Sequence, residues 1–254
     1  MTSAFAQLPC PESPLRRLDP RWKLAALVLA LVAVTLVQTL PTAGAALVVA
    51  LGLAAAGRLP LRWFLVRLGV TALFVAPFVL ALPFVTPDPA GEPARPLWSP
   101  SWHGTRLGLV LGAKAGALVT LVLVLLATTP FGDTLKAAHA LRVPGLVVQL
   151  FVLTYRYVFL VGEELARLRV ALRVRGYRNR ATRHGYRTVA HVTGTLLVRS
   201  HERGQRVSQA MRCRGFDGRF RSLAAFRTAP RDVAFFLLLT AASASLIFWD
   251  FSQR

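Results

Sequence analysis

Carboxylates are scarce in this sequence: 11 Asp and Glu face 31 Lys and Arg across 254 residues, a formal net charge of +20. Cysteine is nearly absent. Cys10 and Cys213 share no CxxC motif and no spacing that holds zinc, and a free thiol in a basic stretch suits a reducing cytosol. The chain has no Walker-type glycine loop, no HExxH helix and no nucleophile elbow, and no acids are paired near any of the five spans set out below. Five histidines, His103, His139, His184, His191 and His201, are scattered. His184 and His191 share a helix face at i, i+7 but stand ~10 Å apart by helical rise, too far to chelate one ion. These absences argue against an enzyme: no catalytic residue, no metal site and no cofactor are expected.

What the chain has in quantity is apolar sequence and arginine. Hydrophobic residues make up 54% of it, and the mean hydropathy is +0.50. That value beside so large a positive charge fits a membrane protein with basic cytosolic loops rather than a soluble domain. Apolar runs near 24–40, 42–57, 63–85, 107–127 and 232–250 each approach the ~20 residues that cross a bilayer core. Pro41 separates the first two, and Pro77 inside the third is tolerable in a helix packed among neighbours. The first run is too long for a signal-peptide core, and a second follows at once.

Segment 145–165, "GLVVQLFVLTYRYVFLVGEEL", is apolar enough to count as a sixth span, but Gln149, Arg156 and Glu163 recur every seven positions on one face. Charge placement decides between the two topologies. Residues 167–231 hold 17 Arg against two acids, Glu202 and Asp217, so this block belongs on the cytoplasmic side. Five spans place the clusters Arg16–Lys23 and Arg58–Arg67 on that side as well; six would put both outside. The expectation is an all-α integral membrane protein with about five transmembrane helices. A membrane domain over 1–130 is followed by a cytoplasmic helical domain over 131–231, inserted before the last span at 232–250. The N-terminus is cytoplasmic, and 131–165 is partly buried against the membrane domain.

The fourth run carries Gly104, Gly108, Gly112 and Gly116 at intervals of four, a smooth stripe that lets two helix backbones approach in lipid. A contact within the chain accounts for it; a surface for another membrane subunit is the alternative. Lys114 on the same helix is read as snorkelling to the headgroups.

In the basic region one pattern occurs twice. "ALRVRGYRNR" (171–180) returns 39 positions later as "AMRCRGFDGR" (210–219). Ala171, Arg173, Arg175, Gly176 and Tyr177 align with Ala210, Arg212, Arg214, Gly215 and Phe216. Helices over roughly 145–175 and 183–213 would each end there, with Gly adopting the left-handed conformation that stops a helix and Arg facing the negative end of the dipole. Capping needs the Gly, but not the Ala, the second Arg or the aromatic. Two matching helix tips suit two equivalent sockets on a two-fold symmetric partner.

The pattern resembles the T component of energy-coupling factor (ECF) transporters, in particular the CbiQ-like branch used for cobalt or nickel uptake. The resemblance rests on "TTPFGDTLKAAHALRVP" (128–144), "LTYRYVFLVGEELARLRVALRVRGY" (153–177) and "RSHERGQRVSQAMRCRGFDGRF" (199–220), and extends loosely over nearly the whole chain. In that family two cytoplasmic helices end in Ala-Arg-Gly motifs that insert into grooves on two ATP-binding-cassette subunits. Arg175-Gly176 and Arg214-Gly215 match the motif; its Ala is replaced by Val174 and Cys213. The resemblance implies a non-catalytic subunit of the cell inner (plasma) membrane that transmits ATPase motion. Its implied partners are two ATP-binding-cassette ATPase subunits, a substrate-binding membrane subunit of metal-binding type, and membrane lipid. Cobalt is the implied substrate, with nickel next; a vitamin-importing ECF transporter is the alternative.

A basic membrane protein that binds anionic lipid or nucleic acid is the remaining reading. Seventeen Arg would neutralise phosphates well. Nucleic acid is not an expected partner, because aromatics are few there (Tyr177, Tyr186, Phe216, Phe220 and Phe226) and the chain sits in a membrane. The five-span topology has a direct test. In a background free of Cys10 and Cys213, cysteines at Glu92 and Gln253 should react with an impermeant thiol reagent added outside, and one at Glu12 should not. The opposite labelling pattern would overturn it.

Overall fold

A computed structural model describes residues 13–85, 101–141, 143–178, 180–216 and 228–253. Among the described residues there are eight α-helices, a 3₁₀ turn at Pro14–Arg17 and no strand. In chain order they are α1 (Pro20–Leu36), α2 (Leu40–Ala56), α3 (Leu61–Val85), α4 (Trp102–Thr128), α5 (Phe131–Ala140), α6 (Gly145–Val174), α7 (Arg183–Cys213) and α8 (Pro230–Ser252). Prolines sit in the opening residues of α1, α2 and α8, where the missing N–H has no intrahelical acceptor to serve.

Four helices, α3, α4, α6 and α8, are long and apolar enough to cross a membrane, and α2 is a shorter apolar helix. The chain is an all-helical membrane protein. Helices α1 and α2, of 17 residues each, span ~25 Å, slightly less than a bilayer core.

Two compact units form: residues 1–141 with 224–254, and residues 142–223. The region 131–165 therefore divides. Helix α5 packs against α1 in the first unit, beyond the boundary expected at 130. Helix α6 belongs with α7 and has no buried residue.

The core of the first unit is built from small side chains. Ala26, Ala30, Ala46, Ala50 and Ala117 are almost fully buried, interleaved with Leu27, Leu121, Leu239 and Leu246. Large side chains such as Leu65, Leu73, Phe74 and Phe78 on α3 are exposed, as lipid-facing residues are. At one end of α3 the Arg67 guanidinium lies 4.9 Å over the Trp63 ring, a cation–π pair.

Polar contacts tie the helices together where apolar packing has little directional drive. The buried Lys23 on α1 donates to Leu15 O and to Thr128 O, the last carbonyl of α4, both at 3.1 Å. Lys114 on α4 donates to Thr35 O near the end of α1 at 2.8 Å. Lys114 thus satisfies a helix-end carbonyl through an exposed hydrogen bond. Each of these two helices has a terminal carbonyl met by the other's lysine, as the dipole favours.

Helix α8 is fixed to α1 at both ends. The buried Asp232 carboxylate accepts from Asp19 N (3.0 Å) and Ala229 N (2.8 Å). Near the other end, Asp250 Oδ1 accepts from Gln38 N (3.0 Å) and Thr39 N (2.8 Å), with the Thr39 and Thr42 hydroxyls within 3.0 Å. Trp22 packs edge-on against Phe236, ring centroids 5.3 Å apart. Removing Asp250 strands backbone donors at the α1–α2 turn, each costing about 1–3 kcal/mol if buried. Asp250→Ala should therefore lower the thermal unfolding midpoint in detergent more than Ser245→Ala, whose hydroxyl only back-bonds to Ala242 O on its own helix. Equal midpoints would show that water replaces the carboxylate.

The glycine stripe of α4 meets two neighbours in its own chain. A Cβ at Gly108 would stand 3.0 Å from Val79 O on α3, and one at Gly116 would stand 3.2 Å from the Leu47 side chain on α2. At Gly112 the nearest atom is Val79 Cγ2 at 3.7 Å, an ordinary contact. Gly104 instead donates its N–H to the Ser101 hydroxyl that caps α4. Val79 O is a special carbonyl: Pro83, four residues on, has no N–H to offer it. The bare Gly108 backbone lies against that carbonyl. Gly108→Leu should therefore destabilise the detergent-solubilised chain by several degrees in midpoint, and Gly112→Leu by less. A larger loss at Gly112 would contradict the α3–α4 geometry.

Candidate functional site at the two arginine-glycine helix ends

The second unit is a helical hairpin. Helix α6 runs 30 residues and α7 runs 31, joined through residues 175–182. Thr182 caps α7 by accepting Gly185 N at 3.2 Å, and Tyr177 Oη donates to Gly185 O at 3.3 Å. Gly185 is buried where any Cβ would collide with the Arg180 carbonyl. Between the helices, Glu164 is the linking residue: its carboxylate meets Arg199 at 2.9 Å and Arg203 at 3.4 Å.

Both helices end in the same way. Gly176 and Gly215 have φ of +76° and +77°. At the first end Tyr177 N–H donates to Leu172 O and Gly176 N–H to Arg173 O; at the second, Phe216 N–H donates to Met211 O and Gly215 N–H to Arg212 O. These paired bonds, six-to-one and five-to-two, define a Schellman cap. No atom lies within 4 Å of a Cβ built at either glycine, so the demand for Gly is conformational rather than steric.

The cap accounts for one feature beyond the Gly. The backbone N–H after each Gly supplies the six-to-one donor, and a hydrophobic residue there commonly accompanies such a cap; Phe216 and Met211, like Tyr177 and Leu172, are half-buried. Capping therefore explains Gly and aromatic together. It leaves Ala171, Arg173 and Arg175, and Ala210, Arg212 and Arg214, all exposed. Ala171 lies one turn below Arg175, and Ala210 one turn below Arg214, so each terminal Arg stands above a bare patch of helix. Val174 and Cys213, where the family motif has Ala, are exposed as well. Because the hairpin is antiparallel, the two ends lie at opposite ends of it, ~45 Å apart by helical rise.

The heptad stripe expected on α6 is not the face that meets α7. Gln149 does face the hairpin partner, with Leu153 and Tyr157, but Arg156 and Glu163 are exposed. Glu163 makes only a surface pair with Arg167 at 3.9 Å. Glu164 was missed. Its signal was the Arg199/Arg203 pair, one turn apart on α7, with few acids elsewhere in the region to meet it. Among the described residues no group of three His, Cys, Asp or Glu is placed to hold a metal ion.

An all-helical membrane protein carrying a hairpin with twin arginine-glycine ends has counterparts among transport proteins. The CbiQ family, described as cobalt transport protein, matches residues 11–224. The chain belongs to this family, whose T-component motifs its sequence resembles. It is 32% identical over 145 residues to the cobalt transport protein CbiQ of Rhodobacter capsulatus, covering 57% of this chain and 58% of that protein. It is 30% identical over 122 residues to the nickel permease LarQ of Lactiplantibacillus plantarum, covering 48% and 42%. An uncharacterised protein of Methanocaldococcus jannaschii matches at 25% identity over 93% of this chain and 82% of its own length.

The caps make a prediction of their own. Ala at a left-handed position costs about 1–2 kcal/mol, and Asn less. Gly215→Ala should speed amide hydrogen exchange in the last two turns of α7 about tenfold, with Gly215→Asn between it and the parent. Unchanged exchange in both variants would remove the Schellman cap from the account.

Proposed function

We propose that this chain is the transmembrane coupling (T) subunit of an ATP-driven ECF-type importer, and that its two arginine-glycine ends dock two ATP-binding-cassette ATPase subunits. The identical caps carrying exposed arginines at both ends of one hairpin support this most directly. Capping gives those arginines only the weak favour of the helix dipole, whereas a symmetric partner with two sockets uses both. Arginine suits the task because its planar, always-charged fork bridges carboxylates and backbone carbonyls together. Closure of the ATPase pair on ATP would move the hairpin, and the spans would pass that motion to a substrate-binding membrane subunit. The topology is five spans in the plasma membrane, with the N-terminus and residues 131–231 cytoplasmic. Cobalt is the substrate favoured by the family description and the Rhodobacter relative. Nickel is the second reading, supported by the name of the Lactiplantibacillus relative.

Co-purification with a tagged cognate ATPase tests the docking. Arg175→Glu and Arg214→Glu should each weaken capture, and the double variant should abolish it while the membrane unit stays folded. Reversal of a partnered, buried charge costs ~2–5 kcal/mol, about 30- to 5,000-fold in affinity. Two sockets act bivalently, so one loss leaves residual binding. Capping alone predicts ~0.3–1 kcal/mol of local stability per site and normal capture. Wild-type retention by the double variant would end the docking proposal. The purified chain should hydrolyse no ATP without its ATPase partners.

A further inference from the structure

The two helix ends share a backbone conformation but not their surroundings. Beside the second one, an open groove of about 580 Å³ lies between the first half of α6 and the last turns of α7. That volume falls within the ~300–1,000 Å³ typical of sites for one small molecule. Leu153, Val207, Met211 and Phe216 make its apolar walls. Gln149, Tyr157, Ser208 and Arg212 add hydrogen-bonding groups, and no carboxylate is among its lining residues. The groove is thus amphipathic and cationic. A small soluble anion would leave the apolar walls wet, and a neutral hydrocarbon would leave Arg212 unmatched. An amphiphile with an anionic head satisfies both, and α6, which forms one wall, is apolar enough along its length to meet lipid.

We propose that this groove binds a single anionic phospholipid, an acyl chain lying against Leu153, Val207, Met211 and Phe216 and the phosphate on Arg212. Arg212 also belongs to the second arginine-glycine end, so lipid occupancy engages one end of the hairpin and not the other. The lipid site stands on the groove alone and does not depend on ATPase docking.

Native mass spectrometry of the full-length chain in detergent, with dioleoylphosphatidylglycerol or dioleoylphosphatidylcholine at equal concentration, tests it. One phosphatidylglycerol should be held in preference to phosphatidylcholine. Arg212→Gln should weaken that binding about tenfold or more, as loss of a charge-assisted bond does. Gly204→Leu should abolish it by filling the groove: a Cβ there meets nothing within 4 Å, and replacing a mid-helix glycine favours the helix, so misfolding is not the cause. Arg187→Gln, exposed on α7 outside the groove, should bind as the parent does. Equal retention of the two lipids, no bound lipid on the parent, or phosphatidylglycerol binding unchanged in both groove variants would each overturn the site. Because the readout is lipid on the chain alone, failure here leaves ATPase docking untouched, and failed ATPase capture leaves this site untouched.

Discussion

The backbone N–H groups of Gln38 and Thr39, left open where α1 gives way to α2, find their acceptor in Asp250 near the end of α8. Asp232 does the same for Asp19 N at the beginning of α1. Helix α8 is thereby locked to the first helix at both of its ends. Lipid tails are as apolar as the helix surfaces, so burial alone cannot choose between neighbours. A buried donor without an acceptor carries a penalty of about 1–3 kcal/mol, and that penalty makes the α1–α8 pairing specific. The hairpin of α6 and α7 is inserted in the sequence between elements that this pairing closes into one unit.

The same logic runs through α4. Lys23 and Lys114 reach across to carbonyls at or near the ends of α4 and α1 respectively. Pro83 frees the Val79 carbonyl on α3, and Gly108 is bare enough to sit against it. Buried Thr120, Thr128 and Ser243 return their hydroxyls to carbonyls one turn back on their own helices, where they leave no polar group facing lipid. With alanine filling the core, the helices come close enough for these contacts to form.

In the hairpin, conformation and function separate at the level of single residues. The left-handed glycines and the following aromatics build the caps. Arg175 and Arg214 are the capping residues by backbone geometry, yet their side chains are exposed, and the helix dipole gives a cation there only about 0.3–1 kcal/mol. Repetition of the arginines at the same place on two identical ends is the feature that a binding partner explains and helix stability does not.

Much of this was legible in the sequence, because periodicity and helix-stop signals act locally. The Arg-Gly-aromatic repeat marked the ends of α6 and α7 to within a residue, and the five apolar runs fall largely on α1, α2, α3, α4 and α8. The face of α6 that meets α7 was not legible: of the seven-residue polar stripe only Gln149 lies toward α7, and the ion pairs to α7 come from Glu164, outside the stripe. Stripe position depends on where the partner helix crosses, which no local rule supplies. The sequence by itself determined helix content, helix ends, membrane class and the doubled arginine-glycine pattern, all consequences of residues within a few turns of each other. Only the tertiary structure decided that Asp232 and Asp250 serve backbone groups more than 200 residues away, that Lys114 meets Thr35, and that a cationic groove opens beside one end of the hairpin. Those depend on which surfaces meet, and meeting is settled by the whole chain finding acceptors for its donors at once.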